Sequence, residues 1–115
     1  MTQREICKYL YDINECCKRL VDFTDGKTLE DYQATALLRS GVERQFEIIG
    51  EAMGQLLKKA PDFEGKITDC RRIVAFRNLL IHGYADVDDE LVWGIVENQL
   101  PKLCDEVQVL LDEYS

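Results

Sequence analysis

The residues best suited to chemistry in this 115-residue chain lie in one run, Arg77-Asn78-Leu79-Leu80-Ile81-His82-Gly83-Tyr84. A guanidinium grips a phosphate through two parallel N–H bonds. An imidazole moves protons near neutral pH. A phenol donates a hydrogen bond or offers its hydroxyl as the acceptor of a transferred group. Together Arg77, His82 and Tyr84 suit a phosphodiester. His82 is the sole histidine, and a plainer use for it is to sit at a helix C-terminus, where a cation is favoured by the helix dipole. The neighbouring Arg and Tyr also have ordinary uses as solvated or packing side chains. On an ideal helix, Arg77 and His82 project about 140° apart. They share a face only if the helix ends near His82 or the long arginine swings round. Gly83 offers such an end and is expected to act as a left-handed C-terminal cap.

The elements that must position this run are helical. Ile6, Leu10, Ile13, Cys17, Leu20 and Val21 mark a first helix over roughly residues 3–23. Thr24-Asp25-Gly26 breaks it. Thr28 with Asp31 resembles a capping box, and a short piece is expected around Leu29–Tyr32. Leu38, Val42, Phe46, Ile49, Met53, Leu56, Leu57 and Ala60 form the stripe of a long second helix, ending at Lys58-Lys59 before Pro61. A third starts at Thr68 or Asp69 and turns Ile73, Phe76 and Leu80 to the core. A fourth opens in Asp86-Val87-Asp88-Asp89-Glu90 and continues through Val92, Val96, Leu100, Leu103, Val107, Leu110 and Leu111. Pro101 is expected to kink or interrupt it. No strand pattern stands out. The spacing therefore predicts an all-α, antiparallel up-and-down bundle of four helices, five if the Leu29 piece counts, with residues 1–115 as one domain.

Composition narrows the function classes. Hydrophobic residues make up 46% and charged residues 31%, which excludes a disordered chain. The net charge of −8 argues against a non-specific nucleic-acid binder. Residues 85–115 carry all of this excess, whereas 66–84 are net +3 (Lys66, Arg71, Arg72 and Arg77 against Asp69), leaving room for a local basic site. Five cysteines without a C-x-x-C pair predict reduced thiols packed as small hydrophobes. With one histidine, a Cys/His metal site is not expected, and no cofactor is implied. Asp86, Asp88, Asp89 and Glu90 are explained by helix capping. The chain has no apolar run long enough for a bilayer, and MTQREICKYL is charged where a signal peptide is apolar. A cytoplasmic protein without a membrane partner is expected. Trp93 is read as packing, and Gly50 and Gly54, four apart, as permitting close helix approach.

The run RNLLIHGY (77–84), with ERQFEIIGEA (43–52) and VDDELVWGIVENQLPKL (87–103), resembles the HepT-like toxin family of HEPN-domain proteins, which carry an Arg-x4-His-x-Tyr motif. The likeness covers roughly residues 35–105 in the family's order. It implies a HEPN-like, all-α homodimer and a metal-independent endoribonuclease, the toxin of a toxin–antitoxin pair. The implied partner is an MNT-type nucleotidyltransferase that transfers AMP to the motif tyrosine. On this resemblance Arg77 and His82 are the catalytic residues and Tyr84 is the AMP acceptor or a substrate contact. Asn78 is a candidate for orienting the site. Glu51 could pair with Arg77, fix the histidine tautomer, or be a solvated helix carboxylate. Cleaving RNA to a cyclic phosphate benefits from both a base and an acid, yet the chain has one histidine. A two-fold dimer would bring two copies of His82 and Arg77 to one groove. The competing reading is a catalytically silent nucleotide-binding or adaptor module that docks to the nucleotidyltransferase. The acidic final quarter favours it; the intact Arg-His-Tyr set favours the enzyme.

Overall fold

Helix ends in this chain are set by short-range polar contacts. Thr2 Oγ1 accepts from the backbone N–H of Glu5 at 3.1 Å and opens α1 (Gln3–Thr24). The Thr28–Asp31 capping box forms in both directions, at 3.2 and 2.9 Å, and starts α2 (Leu29–Ala34). The long stripe is α3 (Ala36–Lys59), closed by Lys58 and Lys59 before a 3-10 turn at Pro61–Gly65. Then follow α4 (Cys70–His82), α5 (Asp89–Asn98) and α6 (Leu100–Tyr114). The computed structural model describes residues 1–83 and 87–115, and among these there are six helices and no strand. No helix among them is long and apolar enough to cross a membrane.

The six helices come from the four expected segments. The Leu29 piece is separate, and the fourth segment divides at Asn98–Leu100, where Pro101 stands in the first turn of α6. That position costs nothing, because a first-turn N–H has no helical acceptor. Asp88 caps α5 by accepting from Glu90 N–H at 2.9 Å. Asp86 lies outside the described residues.

The long helices run antiparallel. Lys59 Nζ donates to Tyr9 Oη at 3.0 Å, joining the end of α3 to the start of α1. Gln3 Nε2 donates to the Tyr114 carbonyl at 2.9 Å, joining the start of α1 to the end of α6. Helix α3 packs on both α1 and α4, α1 also packs on α6, and α5 lies between α2 and α6. Leu10, Ile13 and Leu20 of α1, Phe46, Ile49 and Met53 of α3, Phe76 and Leu80 of α4 and Val107 of α6 join one buried cluster. Phe46 and Phe76 meet edge to face, centroids 5.3 Å apart. Trp93 is buried against Tyr32. Cys16, Cys17 and Cys70 are buried, and all five cysteines are free thiols.

One local expectation is corrected. Gly83 closes α4 with φ −115°, not in the left-handed region. A Cβ there would lie 2.8 Å from Leu79 Cδ1 and 3.0 Å from the Leu79 carbonyl oxygen, so a larger residue would push the leucine side chain aside. Left-handed backbone occurs instead at Gly26, φ 69°, and at Asp69, φ 59°, the latter immediately before α4. Aspartate tolerates that conformation better than most residues.

Candidate active site around Arg77

Helix α4 presents the Arg77 run, and its packing on α3 decides where each side chain goes. Arg77 meets α3 at Gly50. A Cβ on Gly50 would stand 2.1 Å from Arg77 Cβ and 2.7 Å from Arg77 Cγ. The stem of Arg77 therefore occupies the space a side chain at position 50 would take. Gly54 makes no such approach; its nearest neighbour would be Val74 Cγ1 at 3.9 Å.

From this seat the guanidinium reaches two polar groups. Arg77 Nη2 pairs with Glu51 Oε2 at 2.9 Å. Arg77 Nη1 donates to Asn78 Oδ1 at 3.1 Å. Arg77 Nε is buried and has no hydrogen-bond partner among the described residues. The arginine side chain is 27% exposed and that of Glu51 56%, so the pair faces solvent. Of the alternatives for Glu51, the structure displays the pairing with Arg77.

Arg77 and Glu51 border an open groove of about 340 Å³ between α1, α3 and α4. Tyr9 and Asp12 line it from α1, and Arg44 and Gln55 from α3. The sequence reading singled out none of these four. A signal for the α3 members existed, since Arg44, Ile48, Glu51 and Gln55 repeat at helical spacing on one face.

His82 is the last residue of α4 and is exposed. The helix thus runs through it, and the angular separation from Arg77 is kept. Arg77 turns to α3, and no hydrogen bond or ion pair among the described residues joins His82 to Arg77, Asn78 or Glu51. Tyr84 lies outside the described residues.

The net positive segment 66–84 is largely neutralised by carboxylates from its surroundings. Lys66 pairs with Asp62 at 3.4 Å, Arg71 with Glu64 at 2.6 Å, and Arg77 with Glu51. Arg72 makes no ion pair among the described residues. Nor does any group of three His, Cys, Asp or Glu side chains among them stand close enough to hold a metal ion.

Comparison with known proteins assigns the sequence to a family. Over 112 residues, 96% of this chain and all of the relative, the sequence is 33% identical to a Methanocaldococcus jannaschii protein named "Putative RNase MJ1380". It is 30% identical over 105 residues to "Putative RNase TTE0752" of Caldanaerobacter subterraneus, covering 91% of this chain and 93% of that one. A Thermococcus cleftensis protein named "Probable ribonuclease HepT" is 32% identical over 95 residues, 83% of this chain and 86% of its own. No solved structure gives a significant match. The family description "Ribonuclease HepT-like" matches residues 13–110, which include α3, α4 and α5 entire and the Arg77–His82 run. The chain therefore belongs to the HepT-like ribonuclease family.

Proposed function

We propose that this protein is an endoribonuclease that cleaves RNA by internal transesterification, with Arg77 and His82 as its catalytic residues. Family membership supports the ribonuclease class. The observation that carries the site is the seating of Arg77, whose stem fills the gap at Gly50 and whose guanidinium faces an open groove. The 2′-oxygen attacks phosphorus, the bond to the 5′-oxygen breaks, and a cyclic phosphate results. Arg77 stabilises the charge that builds on the non-bridging oxygens. Its exposed pair with Glu51 contributes at most ~1 kcal/mol, so an incoming phosphate replaces the carboxylate at little cost. Asn78 holds the second guanidinium nitrogen in place. His82 takes the proton from the 2′-hydroxyl or gives one to the leaving 5′-oxygen. Neither role requires a metal ion.

One chain holds one histidine, and His82 and Arg77 leave α4 on different faces. Both facts support a homodimer in which the two motifs face each other across a shared groove. His82 of one protomer would then complete the site of its partner. The toxin role rests on the family resemblance, as does control by an MNT-type nucleotidyltransferase. AMP on Tyr84, two residues beyond His82, would place a bulky anion beside the imidazole. The added phosphate would compete for Arg77. The other reading, a silent adaptor docking to that enzyme, is favoured by the neutralised basic segment and by the lack, among the described residues, of a hydrogen bond between Arg77 and His82.

Purified His82→Ala protein with an unchanged helical circular dichroism spectrum should cleave no RNA, whereas full cleavage would overturn the catalytic assignment. Incubation with the partner and ATP should add the mass of one AMP within residues 77–84. AMP on any other residue, or none while the partner is active, refutes the modification.

A further inference from the structure

On the face formed by α1 and α6, away from Arg77, two cysteines line one groove. The register of this antiparallel pair is fixed by Asn14 Nδ2, which donates to Gln108 Oε1 at 3.1 Å. About one turn along, Cys17 on α1 comes opposite Cys104 on α6. An open groove of about 320 Å³ lies over them, lined also by Asn14, Lys18, Asp105 and Gln108. Cys17 is 1% exposed, while Cys104 is only partly buried. The Cys17 S–H beside the Cys104 sulfur favours a thiolate there and lowers the Cys104 pKa, despite desolvation by burial and the nearby Asp105. The same contact, together with burial, keeps Cys17 protonated. The pair thus combines a reachable, ionisable thiol with a buried partner beside it, an arrangement suited to oxidation. Cys16 and Cys70 differ: both are buried, and burial raises both their thiols.

We propose that Cys17 and Cys104 are a modification site that closes to a reversible intramolecular disulfide in the presence of a peroxide. The Cys104 thiolate attacks one peroxide oxygen, the O–O bond breaks, and the departing hydroxide takes a proton to become water. The resulting sulfenic acid is attacked by the Cys17 sulfur. The S–O bond breaks, an S–S bond forms, and the second oxygen leaves as water with the Cys17 proton. Two thiols are oxidised by two electrons and one peroxide is reduced to two waters. The crosslink clamps α1 to α6 and closes a loop spanning most of the chain, so the oxidised protein unfolds at a higher temperature. The two grooves share no lining residue, and the proposal is independent of the ribonuclease reading.

The test treats the whole protein with hydrogen peroxide and reads intact mass, peptide mapping under non-reducing conditions and the thermal midpoint. The expected result is a loss of two hydrogen masses, a crosslinked Cys17–Cys104 peptide, and a raised midpoint that dithiothreitol reverses. In Cys17→Ala protein, Cys104 should be trapped by dimedone as a sulfenic acid. Cys104→Ser, at a partly exposed position, should retain the fold and lose the crosslink. Intact thiols at positions 17 and 104 after oxidation, a crosslink mapped to another pair, or an unchanged thermal midpoint in the crosslinked protein would overturn the proposal. The wild-type mapping decides the matter even if a variant fails to fold.

Discussion

Gly50 and Gly54 lie one turn apart on α3, and replacing each by alanine should give opposite results. Alanine in a helix interior gains about 1 kcal/mol over glycine. At Gly54 the added methyl meets only Val74 Cγ1, at 3.9 Å, which is ordinary contact. Gly54→Ala should therefore stabilise the protein by roughly 0.5–1 kcal/mol. At Gly50 the methyl falls 2.1 Å from Arg77 Cβ and 3.3 Å from the Ile73 carbonyl oxygen. These atoms belong to the backbone or sit next to it, so relief requires α4 to move off α3. Overpacking of this kind typically costs about 1–3 kcal/mol, and here belongs at the upper end. Less the propensity gain, Gly50→Ala should lose about 1–2 kcal/mol. For a chain of this length that lowers the melting midpoint by roughly 4–8 °C, while Gly54→Ala raises it by a few degrees. Thermal denaturation followed by circular dichroism reads both. A Gly50→Ala protein as stable as wild type would show that the close approach of α3 and α4 does not hold Arg77 as described.

Further expectations concern single groups. Tyr32 is fully buried and its hydroxyl has no hydrogen-bond partner among the described residues; Tyr32→Phe should be neutral or stabilising by about 1 kcal/mol in urea denaturation, and a loss of more than that would reveal a partner. The Glu43 carboxyl is pushed above its usual range by desolvation and by Glu47 and Asp89. A raised carboxylate pKa means the ionised form is disfavoured in the folded state, so its penalty is present above the folded value and vanishes below the unfolded one. Glu43→Gln should thus raise the melting midpoint at pH 7 and lose that advantage on acidification below the ordinary carboxylate range; a constant difference across pH would refute the sign. Arg77→Lys keeps the charge but not the fork that meets both Glu51 and Asn78, and should lower RNA cleavage by about 100-fold or more, whereas near-normal turnover would reduce Arg77 to a simple counter-charge.

Much of the fold was legible because its signals are local. The capping box at Thr28, the lysines before Pro61 and the acids around Asp88 each act within one turn, and each marks a helix end where the spacing places it. Pro101 likewise announced a break, though only packing decides that it starts a new helix rather than bending an old one. What the sequence left unread depends on how particular side chains and backbones pack, near in the chain as well as far. Gly83 reads as a left-handed cap, yet its φ is negative and what crowds it is Leu79, one turn back. Asp69 adopts the left-handed backbone without a glycine to advertise it. The charge count over 66–84 suggested a basic site because Asp62, Glu64 and Glu51 lie outside the window that was counted. At the candidate site, Arg77, Asn78 and Glu51 come together, and the groove beside them draws Tyr9 and Asp12 from a helix about 65 residues away in sequence. No periodicity along α4 alone could have named those two.

The most direct measurement is cleavage of a single-stranded RNA by the purified protein in the presence of EDTA, with the new 3′ ends identified by mass spectrometry. Wild-type protein should cut internally, undiminished by the chelator, and leave cyclic-phosphate ends, while His82→Ala and Arg77→Ala proteins of unchanged helicity should not cut. Cleavage that disappears with EDTA, ends that carry no cyclic phosphate, or wild-type rates in either variant would contradict the assignment of a metal-independent Arg77–His82 ribonuclease.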